Sequence, residues 1–209
     1  MTIDNNDLLN SILASLDRVE YINPDDIPNI DLYMDQVTTF MDSHLHSTAR
    51  NPGEDKILTK TMINNYTKND LLPPPMKKKY SKEHVLLLVF IYYYKGILSI
   101  NDIQTLFGPL TSRFFHNGKE FNLESIYKEA FGMANEQMEA LKEDVREKYR
   151  AAQETFSSAL QEDADFLRKF AFICTLSFDV YLKKLMIEKM IDELAAPGRR
   201  EEKKEAGEK

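Results

Sequence analysis

Residues 85–94, VLLLVFIYYY, form the longest apolar run in the chain. A helix carrying that run is apolar on every side, which predicts the buried centre of a domain. At 10 residues it is far short of the roughly 20 that a membrane-spanning helix needs. Ser81 is placed to cap this helix, and Gly96 suits a left-handed stop after it. The stretch just before it is of opposite character. Leu71-Leu72-Pro73-Pro74-Pro75 is stiff and extended, and Met76-Lys77-Lys78-Lys79-Tyr80 reads as a compact basic strand or loop. Thr59 is a good N-cap for a short helix through about Tyr66. That helix would show Lys60, Thr61, Asn64, Asn65 and Lys68, with Met62, Ile63 and Tyr66 left to pack inward.

The net charge of −7 argues mildly against a nucleic-acid partner, but its distribution matters more than its sum. Residues 1–35 hold eight acidic side chains and one basic one, whereas residues 56–82 hold seven lysines and the single acid Asp70. A locally basic segment therefore lies inside an acidic whole. The chain has 209 residues and 43% hydrophobic content, enough for a core. One cysteine, Cys174, excludes an intrachain disulfide. The start, MTIDNNDLL, lacks the basic and apolar regions of a secretory signal. The expected location is cytoplasmic.

Elsewhere the periodicity predicts a mostly α fold. An amphipathic helix is expected over 7–19, then a break at Asn23–Pro28, then a second helix capped by Asp31 and running to about Leu45. Residues 47–56 read as a polar loop. Ser99 and Asp102 resemble a capping box for a helix that Gly108-Pro109 ends. Residues 108–121 read as a connector. A long helical region follows from Leu123 to Leu160, kinked at Gly132, with a corner at 161–163 capped by Asp163. A second long helix then has an apolar face too broad for one seam. Residues 197–209 read as a disordered tail. The expected domains are 1–28, a head over 29–107, the connector 108–121, a helical dimerisation or effector region over 122–195, and the tail from 196.

Little points to catalysis. There is no glycine-rich phosphate loop and no nucleophile elbow. Cys174 lies in an apolar helical run, where a structural thiol is the usual occupant. Asp42 and His46 are spaced for one helix face but lack a third ligand. No enzyme activity, cofactor or metal is expected.

The residues Thr61-Met-Ile-Asn-Asn-Tyr66, Leu71-Leu72-Pro73, Lys79-Tyr80-Ser81-Lys-Glu83 and Leu98-Ser99-Ile-Asn-Asp-Ile103 together resemble the MerR-type winged helix-turn-helix, over about 57–107. That family has a recognition helix ending in Arg-Tyr-Tyr, a Gly-Leu-Leu-Pro turn and a wing ending in Tyr-Ser-Glu. Asn64 stands where the family has arginine, and Asp70 where it has the turn glycine. The whole chain is also similar to a domain-of-unknown-function family of Gram-positive bacteria, which brings no assigned activity. The resemblance implies a MerR-like head followed by a long-helix hairpin or bundle. It also implies a homodimeric DNA-binding transcriptional regulator, with room for a small-molecule effector of no readable identity. Its contacts to double-stranded DNA would be Lys60, Thr61, Asn64, Asn65, Tyr66 and Lys68 on the helix, and Lys77, Lys78, Lys79 and Tyr80 on the wing. The competing expectation is a non-catalytic helical adaptor that binds a protein partner through 165–194.

Overall fold

The computed structural model describes residues 5–16, 22–51 and 54–207. The chain divides into two compact units, residues 1–131 and 132–209. Both are built from helices, and the strands described form a single two-stranded sheet.

In the first unit, α1 (Asn5–Leu16) buries Leu9 and Leu13. Part of the helix expected over 7–19 lies outside the described residues. β1 (Leu32–Tyr33) leads directly into α2 (Met34–Leu45). The α2 cap is Tyr33, whose backbone N–H is accepted by the Gln36 side chain at 2.8 Å. Asp31 is therefore not the cap. Residues 32 and 33 are drawn into strand pairing, which moves the helix start two residues along. α3 (Lys60–Lys68) begins at Thr59, whose hydroxyl accepts from the Met62 N–H at 3.1 Å. β2 (Lys79–Tyr80) pairs antiparallel with β1, Leu32 opposite Tyr80 and Tyr33 opposite Lys79.

α4 (Lys82–Tyr94) is the centre of this unit, with every residue from His84 to Ile91 buried. Phe90 stacks on Phe131 at 5.0 Å and meets Tyr127 edge-on at 5.2 Å. The Tyr127 hydroxyl donates to the Ile22 carbonyl at 2.8 Å, satisfying the one polar atom that this aromatic cluster brings inside. Gly96 is not in the left-handed region. The helix closes instead through a turn in which Ile97 and Leu98 donate to the Tyr94 carbonyl, and that turn buries Leu98.

α5 (Ile100–Phe114) opens with the expected Ser99/Asp102 capping box but does not end at Gly108-Pro109. Proline removes one donor. Burial of Phe107 just before it, and hydroxyl bonds from Thr111 and Ser112 back to the carbonyls of 107–109, carry the helix through. α6 (Leu123–Glu136) buries Leu123, Tyr127 and Phe131.

The expected continuous helix over 123–160 is interrupted at Gln137. α7 (Met138–Gln153) follows and ends well before Leu160. In the second unit α7 packs on α8 (Gln161–Gly207). Tyr149 meets Phe172 at 5.4 Å, and Lys148 pairs with Asp144 and Asp179. Asp163 sits inside α8 and is not its cap. The tail expected to be disordered is helical through Gly207. Its run Arg199–Ala206 is composed of strong helix formers, and that propensity outweighs the scarcity of apolar side chains. No helix among the described residues is long and apolar enough to cross a membrane.

Candidate nucleic-acid interface

The candidate surface is built from α3, the turn after it and the β2 hairpin. At about 100° per residue, Lys60, Asn64, Lys68, Thr61 and Asn65 fall within an arc of about 140° on α3. All five are exposed, whereas Ile63 and Tyr66 on the opposite side are buried. The helix thus presents one unbroken polar face, with two lysines and two asparagine amides.

α3 stops on a Schellman motif. The Leu71 N–H donates to the Tyr66 carbonyl at 2.9 Å, and the Asp70 N–H to the Thr67 carbonyl at 3.3 Å. Asp70 sits at the left-handed position with φ 54, where glycine carries no steric cost. Leu71 and Leu72 then drop into the core at 0% and 1% exposure, fixing the angle at which the triple proline leaves.

The basic stretch closes as the tightest hairpin available. Met76 bridges to Lys79, whose N–H donates to the Met76 carbonyl at 2.9 Å. The two residues between them, Lys77 and Lys78, have φ 51 and φ 65. Two central residues with positive φ make a type I′ turn, the twist that two-residue hairpins require. Asparagine and glycine hold such positions at little cost, whereas a long L side chain crowds the backbone there. Both lysines are exposed at the tip.

The ammonium groups are not equivalent. Lys79 lies over the Tyr33 ring at 5.2 Å, and Lys60 is ion-paired with Asp35. These two anchors are two residues apart, at the junction of β1 and α2. The start of α3 and the hairpin are thereby tied to one end of α2. Lys68, Lys77 and Lys78 are exposed.

Tyr66 and Tyr80, expected among the DNA contacts, are corrected to core residues. They are 7% and 3% exposed, and burial pushes both phenol pKa values up. They position α3 and the hairpin and offer no ring to a partner.

Tyr33 and Asp35 were missed from the sequence. Each acts across a long sequence separation, and neither stands in a motif. The base of the hairpin is held by a third such set. The Ser81 N–H donates to His84 Nδ1 at 3.0 Å, and the Ser81 hydroxyl lies 2.8 Å from that nitrogen and 2.9 Å from His116 Nε2. The His116 N–H donates to Glu83 at 2.7 Å. His84 is 1% exposed. Burial first, then the neighbouring His116, lowers its pKa to about 4, against the opposing pull of the Pro73 and Pro74 carbonyls. The neutral ring therefore links the hairpin base to the start of α4.

His46 lies 3.7 Å from Asp42. Among the described residues no group of three or more potential ligands is placed to hold a metal ion.

A family model described as a domain of unknown function, DUF1836, matches residues 22–130. No curated protein and no solved structure matches the chain.

Proposed function

We propose that this chain, which belongs to the DUF1836 family, binds double-stranded DNA as a regulator, through a MerR-like winged helix-turn-helix within the matched region. In this reading α2 and α3 are the helix pair, α3 enters the major groove, and the 76–80 hairpin is the wing. Asn64 and Asn65 carry amides suited to the adenine edge, while Lys68, Lys77 and Lys78 meet phosphates.

The single observation that carries the reading is the hairpin tip. Two lysines hold left-handed backbone that asparagine and glycine would hold at less cost. Strain kept at an exposed position favours a role for the side chains themselves. The polar arc of α3, tied to the same end of α2, supplies a second point of grip. Lysine gives charge without the bidentate fork of arginine, so the proposed binding leans on the phosphate backbone more than on sequence.

The test is fluorescence anisotropy of a labelled duplex against salt. Three lysines per head predict a slope of log affinity on log salt of about −2.7 per head. Lys77→Glu with Lys78→Glu should abolish binding. Binding that survives both changes and ignores salt would remove the proposal.

The adaptor reading has one specific observation in its favour, the exposed apolar side chains of α8. Those side chains are better explained by a different occupant.

A further inference from the structure

α8 leaves eleven large apolar side chains exposed between Phe166 and Leu194. Five of them, Phe166, Ile173, Val180, Ile187 and Leu194, recur at strict intervals of seven residues, each 37–68% exposed. α7 occupies a different side of the helix. Its contacts fall on Phe172 and Asp179, each one residue before a member of the row and so about 100° round from it.

A straight helix drifts about 20° per heptad away from a seven-residue repeat, and only a left-handed supercoil keeps such a row on one line. A solvated face has no reason to keep that period. A second helix wound against it does.

We propose that this row is the seam through which α8 pairs, antiparallel, with α8 of a second copy of this chain. The area is sufficient. Phe170 and Met190, both exposed, flank the row within about 60°. Seven side chains exposing roughly 100 Å² each give about 700 Å² per copy, or about 1,400 Å² in all, within the range of stable interfaces.

The orientation follows from size and charge. The row reads Phe-Ile-Val-Ile-Leu, with its smallest member at the middle, so a two-fold axis beside Val180 sets large residues against large ones at both ends. Lys184, on the same face, is ion-paired with Glu188 at 3.7 Å. Parallel, in-register pairing sets Lys184 against Lys184 and Glu188 against Glu188. With the axis beside Val180, the two Lys184 residues stand eight residues of rise apart, about 12 Å, beyond the screening length near 8 Å at physiological salt.

The proposal is independent of DNA and is tested without it. Sedimentation velocity of the full chain at micromolar concentration should give a dimer of the 24.3 kDa subunit. Ile173→Glu with Val180→Glu should raise the dimer dissociation constant by about a hundredfold or more, because each buries an unpaired charge, with helical circular dichroism unchanged. Phe178→Glu, about 140° round α8 from the row and itself exposed, should leave the dimer intact. Cysteine crosslinking covers the case in which the glutamate variants fail to fold. In a Cys174→Ser background, Val180→Cys should crosslink to its own copy under mild oxidant and Ile173→Cys should not. Crosslinking at both positions would mean a parallel pair and overturn the proposal. A wild-type monomer at tens of micromolar would overturn it in favour of an unrelated protein on the same row.

Discussion

Replacing Lys77 by Asn and Lys78 by Gly separates the two roles assigned to the hairpin tip. Both residues hold positive φ, at 51 and 65. An L residue in that region costs roughly 1–2 kcal/mol against glycine. Glycine gives back roughly 0.5–1 kcal/mol through the freedom it gains in the unfolded chain, so Lys78→Gly should stabilise by about 0.5–1 kcal/mol. Asparagine tolerates the left-handed region through local hydrogen bonding, and Lys77→Asn should add a similar amount. The pair should therefore gain about 1–2 kcal/mol, or about 2–8 °C in Tm for a chain of this size. Urea unfolding should show a higher midpoint with the slope unchanged. The same protein loses two phosphate contacts per head, so its salt slope should shrink by about 1.8. A variant no more stable than the parent would refute the strain argument. A stabilised variant that binds DNA as well as the parent would refute the purpose given to that strain.

Three further outcomes follow from other parts of the first unit. Asp70→Gly relieves the left-handed position with φ 54 and should raise stability by about 0.5–1 kcal/mol in chemical denaturation. It also removes the one acid among the lysines and should tighten DNA binding in the anisotropy assay. His84 is held neutral, with a folded pKa of about 4 against an unfolded value near 6.5. Between those values the unfolded chain binds the proton and the folded chain does not, so acid favours unfolding. Stability should fall by roughly 3 kcal/mol from pH 6.5 to pH 4 on account of this group. His84→Asn, whose amide oxygen can accept from the Ser81 N–H in place of Nδ1, should flatten that part of the pH profile. An unchanged profile would show that the ring takes up its proton at the same pH in the folded and unfolded chains.

The parts of the fold that were legible in the sequence are those fixed by local chemistry. Thr59 and Ser99 cap their helices as their side chains dictate, and the apolar run after Ser81 is buried on every side because no exposed face was available to it. The parts that were not legible depend on partners distant in sequence. Asp31 was a reasonable cap until strand pairing with Lys79 and Tyr80 displaced the helix start. Pro109 reads as a terminator, but burial of Phe107 and three hydroxyl bonds outweigh one missing donor. The exposed face of α3 was visible in its periodicity. Burial of Tyr80 was not, because a two-residue strand carries no alternation. The tip geometry of Lys77 and Lys78 had no local signal either, since lysine is not a residue that announces positive φ.

The remaining question is how a chain of net charge −7 could hold a polyanion. Charge acts over the screening length, about 8 Å at physiological salt and about 30 Å at 0.01 M. Two of the acids gathered in residues 1–35 are already engaged. Asp25 pairs with Lys128 at 3.4 Å, and Asp35 with Lys60. Near physiological salt, phosphates seated at the hairpin tip and at Lys68 feel chiefly the exposed lysines, and the more distant carboxylates are screened. At very low salt the whole acidic molecule comes within range and opposes the approach. The logarithmic salt dependence should therefore be steep and linear above about 0.1 M and flatten below it, unlike that of a uniformly basic DNA-binding protein. That curvature would be the signature of a cationic ledge set on an acidic body. A straight line down to 0.01 M would mean that the acids lie where their field never reaches the duplex.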